Sequence, residues 1–117
     1  MNVRLLATSF ITLLLSLHAP STLALTMKQV SDACHSSSSE CSDHPFIRAY
    51  VGVALDLLAT LDGRTDYLGK VYCKKSEELF DVSAIIRFME LRSEQYAKDN
   101  AMLVLVRYFE EHGGCKP

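Results

Sequence analysis

The sequence predicts an all-α domain: a small bundle of about four helices, stapled by two disulfides and preceded by an N-terminal signal peptide. Three observations predict it. Apolar residues recur every three or four positions in the segments that begin near Pro45, Ser76 and Asp99, the period of an amphipathic helix. No segment alternates apolar and polar residues as a half-buried strand would. All four cysteines lie after a leader-like stretch, in the part of the chain that would survive export.

The leader reading rests on Arg4, the uncharged apolar run Leu5 to Leu17, and the small-residue site Thr22-Leu23-Ala24. The run is shorter than the roughly 18 apolar residues a membrane span needs. The expected division is therefore a signal peptide over 1–24 and one domain over 25–117, with no stable membrane insertion after cleavage. A domain of that size is marginal without covalent help, which two disulfides would supply.

Thr26 opens the first helix, with Gln29 three residues on as the partner of a capping box. Met27 and Val30 share one face. The stretch from His35 to Glu40 is small and polar and reads as a loop bracketed by Cys34 and Cys41. Pro45 suits the first position of the next helix, capped by Asp43 or His44. Phe46, Ala49, Tyr50, Val53, Leu57 and Leu61 form its expected buried stripe, widened by Val51, Leu55 and Leu58. Gly52 lies inside this helix, where it costs up to about 1 kcal/mol against alanine, and close approach of a neighbouring helix would offset that. Asp62-Gly63 ends it, and Arg64 to Tyr72 reads as an ordered loop.

Ser76-Glu77-Glu78 marks a third helix, a capping serine followed by carboxylates that favour the N-terminal dipole. It is expected to run over 76–91, burying Leu79, Val82, Ile85, Ile86 and Met89. A polar connection from Arg92 to Lys98 leads to a last helix capped by Asp99, with Ala101, Val104, Leu105 and Tyr108 on its core face and Gly113-Gly114 at its end. The predicted core is thus Tyr50, Val53, Leu57, Val82, Ile85, Ile86, Met89, Val104, Leu105 and Tyr108.

Four cysteines allow three pairings. A short connection between the last two helices predicts an antiparallel hairpin, with Cys73 at the start of one helix beside Cys115 at the end of the other. That favours Cys73–Cys115, worth roughly 4 kcal/mol on the loop-entropy estimate, and leaves Cys34–Cys41, worth roughly 2.5 kcal/mol. The competing zinc reading would use Cys34, His35, Cys41 and His44.

Twelve Lys+Arg against fourteen Asp+Glu leave a net charge of −2 and no basic block for nucleic acid. Paired cysteines leave no thiol nucleophile. There is neither a nucleophile elbow nor a phosphate-binding glycine loop. The pairs Glu77-Glu78 and Glu110-Glu111 are adjacent on helices and do not converge. Asp56 is expected on the solvent side of its helix, the alternative being a carboxylate paired with Arg87 or Arg92. No catalytic residue, metal or cofactor is assigned, and the expectation is a binding or inhibitory module rather than an enzyme.

The order of motifs resembles the Rap/Tai-type immunity proteins, which protect bacteria from type VI secretion peptidoglycan amidases. The resemblance runs from about Val30 to Cys115: an early cysteine, an apolar helix with Tyr50 and Leu55-Asp56, then Cys73 opening a helix with Val82, Ile85-Ile86 and Met89, and a final Ala/Leu/Val-rich helix before Cys115. The chain departs from that pattern at Cys41, Gly52, Lys75 and Gly113-Gly114. The resemblance implies a periplasmic all-helical inhibitor, often a homodimer, whose partner is a papain-like peptidoglycan amidase. The physical candidates for its contact are the connection Arg92 to Lys98 and the loop Gly63 to Tyr72, whose Arg64, Asp66, Tyr67 and Tyr72 suit an interface rich in Tyr and Arg. A small envelope stress chaperone and a helical ligand-binding protein are the alternatives. The apolar residues fall on coherent helix faces with few left over, which favours the inhibitor over the chaperone.

Overall fold

The computed structural model describes residues 24–117. The signal-peptide reading falls on residues 1–24, almost all of which lie outside the described residues. The chain forms helices α1 (Met27–His35), α2 (Pro45–Asp62), α3 (Ser76–Leu79), α4 (Val82–Leu91) and α5 (Ala101–His112), with short 3-10 turns at Cys41–Asp43 and Tyr67–Lys70. Among the described residues there is no strand, only an isolated bridge between Thr26 and Asn100. None of the described helices is long and apolar enough to cross a membrane.

The capping box of α1 is present. Thr26 Oγ1 accepts from the Gln29 amide at 3.2 Å, and Gln29 Oε1 accepts from the Thr26 amide at 2.8 Å. Backbone bonds from Met27 to Asp99, Lys28 to Ala97 and Ala101 to Leu25 then hold the start of α1 against the segment before α5. Pro45 is the first residue of α2 and His44 its cap position.

Two caps differ from expectation. The helix expected over 76–91 breaks at Phe80, and Asp81 starts α4 by accepting from the Ala84 amide at 3.0 Å. Ser76 caps nothing, because Lys75 holds the cap position of the one-turn α3. Asn100, not Asp99, caps α5, its Oδ1 accepting from the Met102 amide at 2.9 Å. Both corrections have one cause. Several acceptors stand near each helix start, and the one used depends on where the chain turns into its tertiary contact.

Helix α4 sits in the middle, touching α2, α5 and the 3-10 turn at Cys41–Asp43. Its Ile85, Ile86, Phe88 and Met89 are buried. Helix α5 contributes Ala101, Val104, Leu105, Tyr108 and Phe109 to the same core, and α1 adds Met27 and Val30. Exposed Arg48 on α2 ties the 3-10 turn to α4, donating to the Ser42 carbonyl at 2.9 Å and the Ser83 hydroxyl at 3.1 Å.

The buried stripe of α2 is the main correction. Ile47, Val51, Ala54 and Leu55 face the core, whereas Val53 is 68% exposed and Leu57 58% exposed. Tyr50 is only partly buried, as is Val82 on α4. The remaining predicted core residues, Ile85, Ile86, Met89, Val104, Leu105 and Tyr108, are buried. Among the described residues no neighbour lies within 4 Å of where a Gly52 Cβ would stand, so none of the described helices approaches closely enough to account for that glycine.

Both expected disulfides form, Cys34–Cys41 and Cys73–Cys115, and no cysteine is free. The geometry behind the second differs from a hairpin. Phe88 of α4 meets Tyr108 and His112 of α5, and Arg92, just after α4, pairs with Glu111 at 2.7 Å. Helix α4 therefore lies across the C-terminal half of α5: Phe80, just before it, meets Phe109, and Phe88 and Arg92 meet Tyr108, His112 and Glu111. Cys73 reaches Cys115 because its strand of backbone lies along the end of α5. The Cys73 and Lys74 amides both donate to the Gly113 carbonyl at 2.8 Å. Gly113 permits this approach, since a Cβ there would lie 2.7 Å from Tyr72 Cβ. Gly114 follows with φ +76°, a conformation that favours glycine.

Candidate functional site

Two surfaces stand out, one polar and aromatic, the other wholly apolar. The first is the loop between α2 and Cys73. The Arg64 and Thr65 amides donate back to the Leu61 carbonyl, and the Val71 and Tyr72 amides to the Leu68 carbonyl, so the loop is two hydrogen-bonded turns rather than an open coil. Leu68 and Val71 pack against the core, and Cys73–Cys115 fixes the loop's far end. Arg64, Thr65, Asp66, Tyr67 and Lys70 ring an open hollow of about 500 Å3 on the outside. Tyr67 stands 83% exposed among them.

Three of the four expected contact residues, Arg64, Asp66 and Tyr67, are thus brought together. Tyr72 is not one of them. It is 5% exposed, its ring packed against Phe80 and Phe109, and it serves as core. The tyrosines looked alike in sequence because both follow a charged or turn-forming segment. Only the disulfide at the next residue, Cys73, distinguishes Tyr72 as the anchored one.

The Tyr72 hydroxyl is buried with no hydrogen-bond partner among the described residues. Burial, and secondly the nearby Asp62 charge, push its ionisation above the ordinary tyrosine value of 10.0. Tyr108 is raised by burial and then by Asp81, and Tyr50 by burial. A group whose value is raised in the folded state stabilises the fold until the unfolded chain begins to ionise. Stability is therefore expected to be flat in this respect below about pH 10 and to fall as pH rises beyond it. Urea midpoints measured from pH 8 to pH 11 check this. Tyr72→Phe should flatten the alkaline fall and cost nothing at pH 7, because it removes an unsatisfied buried hydroxyl. A steeper fall in the variant would contradict the assignment.

The second surface was not foreseen. Phe46, Val53, Leu57 and Leu61 of α2 are 53%, 68%, 58% and 38% exposed. Between the helices runs a groove of about 290 Å3 lined only by Val53, Ala54, Leu57, Leu58, Met102, Leu105 and Val106. Val53 and Leu57 are expected core residues that instead face outward, while Leu105 at the floor of the groove is buried as expected.

The connection Arg92 to Lys98 is a run of turns. Arg92 stacks 3.6 Å over Phe88 and pairs with Glu111, and Tyr96 lies under Arg107. Arg92 is therefore occupied, and Asp56 is exposed on α2 with no ion pair to either arginine. Cys34 and Cys41 are bonded to each other and offer no thiolate to the zinc reading. His35 Nδ1 lies 2.7 Å from the Ser31 carbonyl, a contact within one helix turn.

The fold and these surfaces define a small all-α domain held by two disulfides, a covalent pattern that suits an oxidising, exported setting. Set beside family models, curated proteins and solved structures, the chain matches none.

Proposed function

We propose that this protein is a periplasmic immunity protein that binds and blocks a papain-like peptidoglycan amidase delivered by type VI secretion. The observation that carries the reading is the Arg64–Lys70 loop: an aromatic side chain held out in water, flanked by charges of both signs, on a turn braced by a disulfide. An inhibitor needs such a feature more than it needs chemistry. A rigid Tyr loses little conformational freedom when it fills a cleft, and interface hot spots favour Tyr and Arg.

The test is capture on immobilised residues 25–117, with cysteines oxidised, from the parent strain's secreted and envelope proteins, followed by peptidoglycan hydrolysis assays. One stoichiometric partner is expected, with its hydrolysis abolished on binding. Tyr67→Ala should weaken that binding by roughly 30-fold or more, the loss of a hot spot of about 2 kcal/mol. Unchanged affinity in Tyr67→Ala would remove the loop from the interface. Absence of any hydrolase among the partners would end the immunity reading.

The exposed apolar face of α2 corrects the expectation that few apolar residues are left over, and it favours a second reading, a small envelope stress chaperone. Such a chaperone would capture many weak clients in place of one tight partner.

A further inference from the structure

We infer that Cys73–Cys115 is a thiol–disulfide exchange site, opened by a dithiol reductant while the rest of the fold stands, and that its opening loosens the Arg64–Lys70 loop. The exchange does not depend on the immunity reading; only its consequence for binding an amidase rests on that reading.

The two bridges of this chain stand in opposite surroundings. Cys34 and Cys41 are each 5% exposed, with the carboxylates of Asp32, Glu40 and Asp43 close by in the chain. Cys73 is exposed and Cys115 half-buried, and their neighbours are cations. Lys74 and Lys75 follow Cys73, Lys116 follows Cys115, and Lys70 ends the turn just before them, all four exposed. The Lys74 stem runs along Gly114, where a Cβ would lie 2.9 Å from its Cγ, so this side chain is held beside Cys115. The ion pairs among the described residues are Lys28–Asp32 and Arg92–Glu111, so no carboxylate there neutralises these lysines.

Exchange begins when a thiolate attacks one sulfur of the bridge, so access and charge govern its rate. Lysines draw in the anionic attacker and stabilise the departing thiolate. Burial and carboxylates act the other way at Cys34–Cys41. The reductant's thiolate attacks the exposed Cys73 Sγ. The bond to Cys115 Sγ breaks, and its electron pair leaves with Cys115 as a thiolate beside Lys116. The reductant's second thiolate then attacks its own sulfur in the mixed disulfide and expels the Cys73 thiolate. The dithiol departs as a disulfide, oxidised by two electrons, and its two protons end on Cys73 and Cys115.

The bridge also touches the loop. The Gly69 carbonyl lies 3.3 Å from Cys73 Sγ and 3.7 Å from Cys115 Sγ, so it is placed to accept from the Cys73 thiol once the bridge opens. Tyr72 stays buried, and the Cys73 and Lys74 amides keep the Gly113 carbonyl. Those contacts hold the fold together. The turns over 64–70 lose the covalent brace at their far end, and with it the rigidity that makes Tyr67 a good anchor.

The experiment treats oxidised 25–117 with dithiothreitol under native conditions, traps thiols with N-ethylmaleimide and assigns them by peptide mass spectrometry. Cys73 and Cys115 should be labelled roughly tenfold or more faster than Cys34 and Cys41, with helical circular dichroism retained. Lys74→Gln/Lys116→Gln should slow opening by anionic mercaptoethanesulfonate more than by cationic cysteamine, a charge signature that a purely structural role would not produce. In the reduced, alkylated chain, trypsin should cut after Lys70 roughly tenfold or more faster than in the oxidised chain, while the cut after Arg107 within α5 changes far less. Labelling of all four cysteines together would overturn the inference, because it would mean that only global unfolding opens the bridge. The same slowing of both thiols in the lysine variant would overturn the charge argument, and equal acceleration at Lys70 and Arg107 would overturn the coupling to the loop. Capture without a hydrolase would end the immunity reading and leave these rates as expected, so the two failures are separately visible.

Discussion

Phe109→Ala is expected to lower stability by about 3–5 kcal/mol, the range for emptying a buried phenylalanine site. Phe109 is fully buried, and its ring meets those of Tyr72, Phe80 and Tyr108 at centroid distances of 5.5, 5.6 and 5.4 Å. Those rings come from three separate parts of the chain: the anchored end of the loop, the break between α3 and α4, and α5 itself. No single neighbour can relax into the space, because each is held by its own backbone. Domains of this size have about 5–15 kcal/mol to lose, so the variant should show a greatly lowered urea midpoint. A loss below 1 kcal/mol would mean the three elements repack without that ring. Exposed Phe46→Ala provides the internal contrast.

Opening the Cys73–Cys115 bridge in the double variant Cys73→Ser/Cys115→Ser is expected to cost about 4 kcal/mol on the loop-entropy model. The two cysteines stand 42 apart in sequence, and the closed loop contains α3, α4 and α5. The Gly113 carbonyl would still accept from the Cys73 and Lys74 positions, so the end of α5 should stay near its place in the folded state. The loss is then mostly a gain of freedom in the unfolded chain. Replacing both cysteines avoids a stray thiol. Ser37→Ala, in the small loop closed by Cys34–Cys41, should stay within about 0.5 kcal/mol. Equal shifts for the two variants, read by thermal or urea unfolding, would refute the clamp.

The helical class and the Cys34–Cys41 pair were legible because both depend on local order along the chain, whereas Cys73–Cys115 spans 42 residues and depends on packing. Capping at Thr26, proline at the start of α2 and glycine after α5 are decisions made within one turn. The buried side of α2 was not legible, for a geometric reason. Phe46, Val53, Leu57 and Leu61 form one stripe, and Ile47, Val51, Ala54 and Leu55 another beside it. The polar positions Arg48 and Asp56 lie opposite the boundary between the two, so amphipathic geometry cannot choose. Packing against α4 chooses, and that contact is remote in sequence.

The polar site was legible in part. Arg64, Asp66 and Tyr67 gather on one loop because the end of α2 and the turn at Tyr67–Lys70 are close in sequence. Tyr72 went the other way because the aromatic cluster around Phe109 needed a ring from that strand. The break at Phe80 belongs to the same cluster, since Phe80 points to Phe109 as well. Helix propensity alone would have carried the chain straight through.

The bridge to Cys115 also divides the molecule under tension. A pull between the chain ends enters at the C-terminus and passes through the sulfurs to Cys73, so the whole stretch between the two cysteines is shielded from load. What can lengthen is the stretch from 25 to 73 less the loop closed by Cys34–Cys41, roughly 40 residues or about 140 Å when drawn straight. Helix α1 is the piece to peel first, since it stands at the loaded end, moored to 97–101 by backbone hydrogen bonds and to the core by Met27 and Val30. The domain therefore behaves as a short tether joined to an inextensible block.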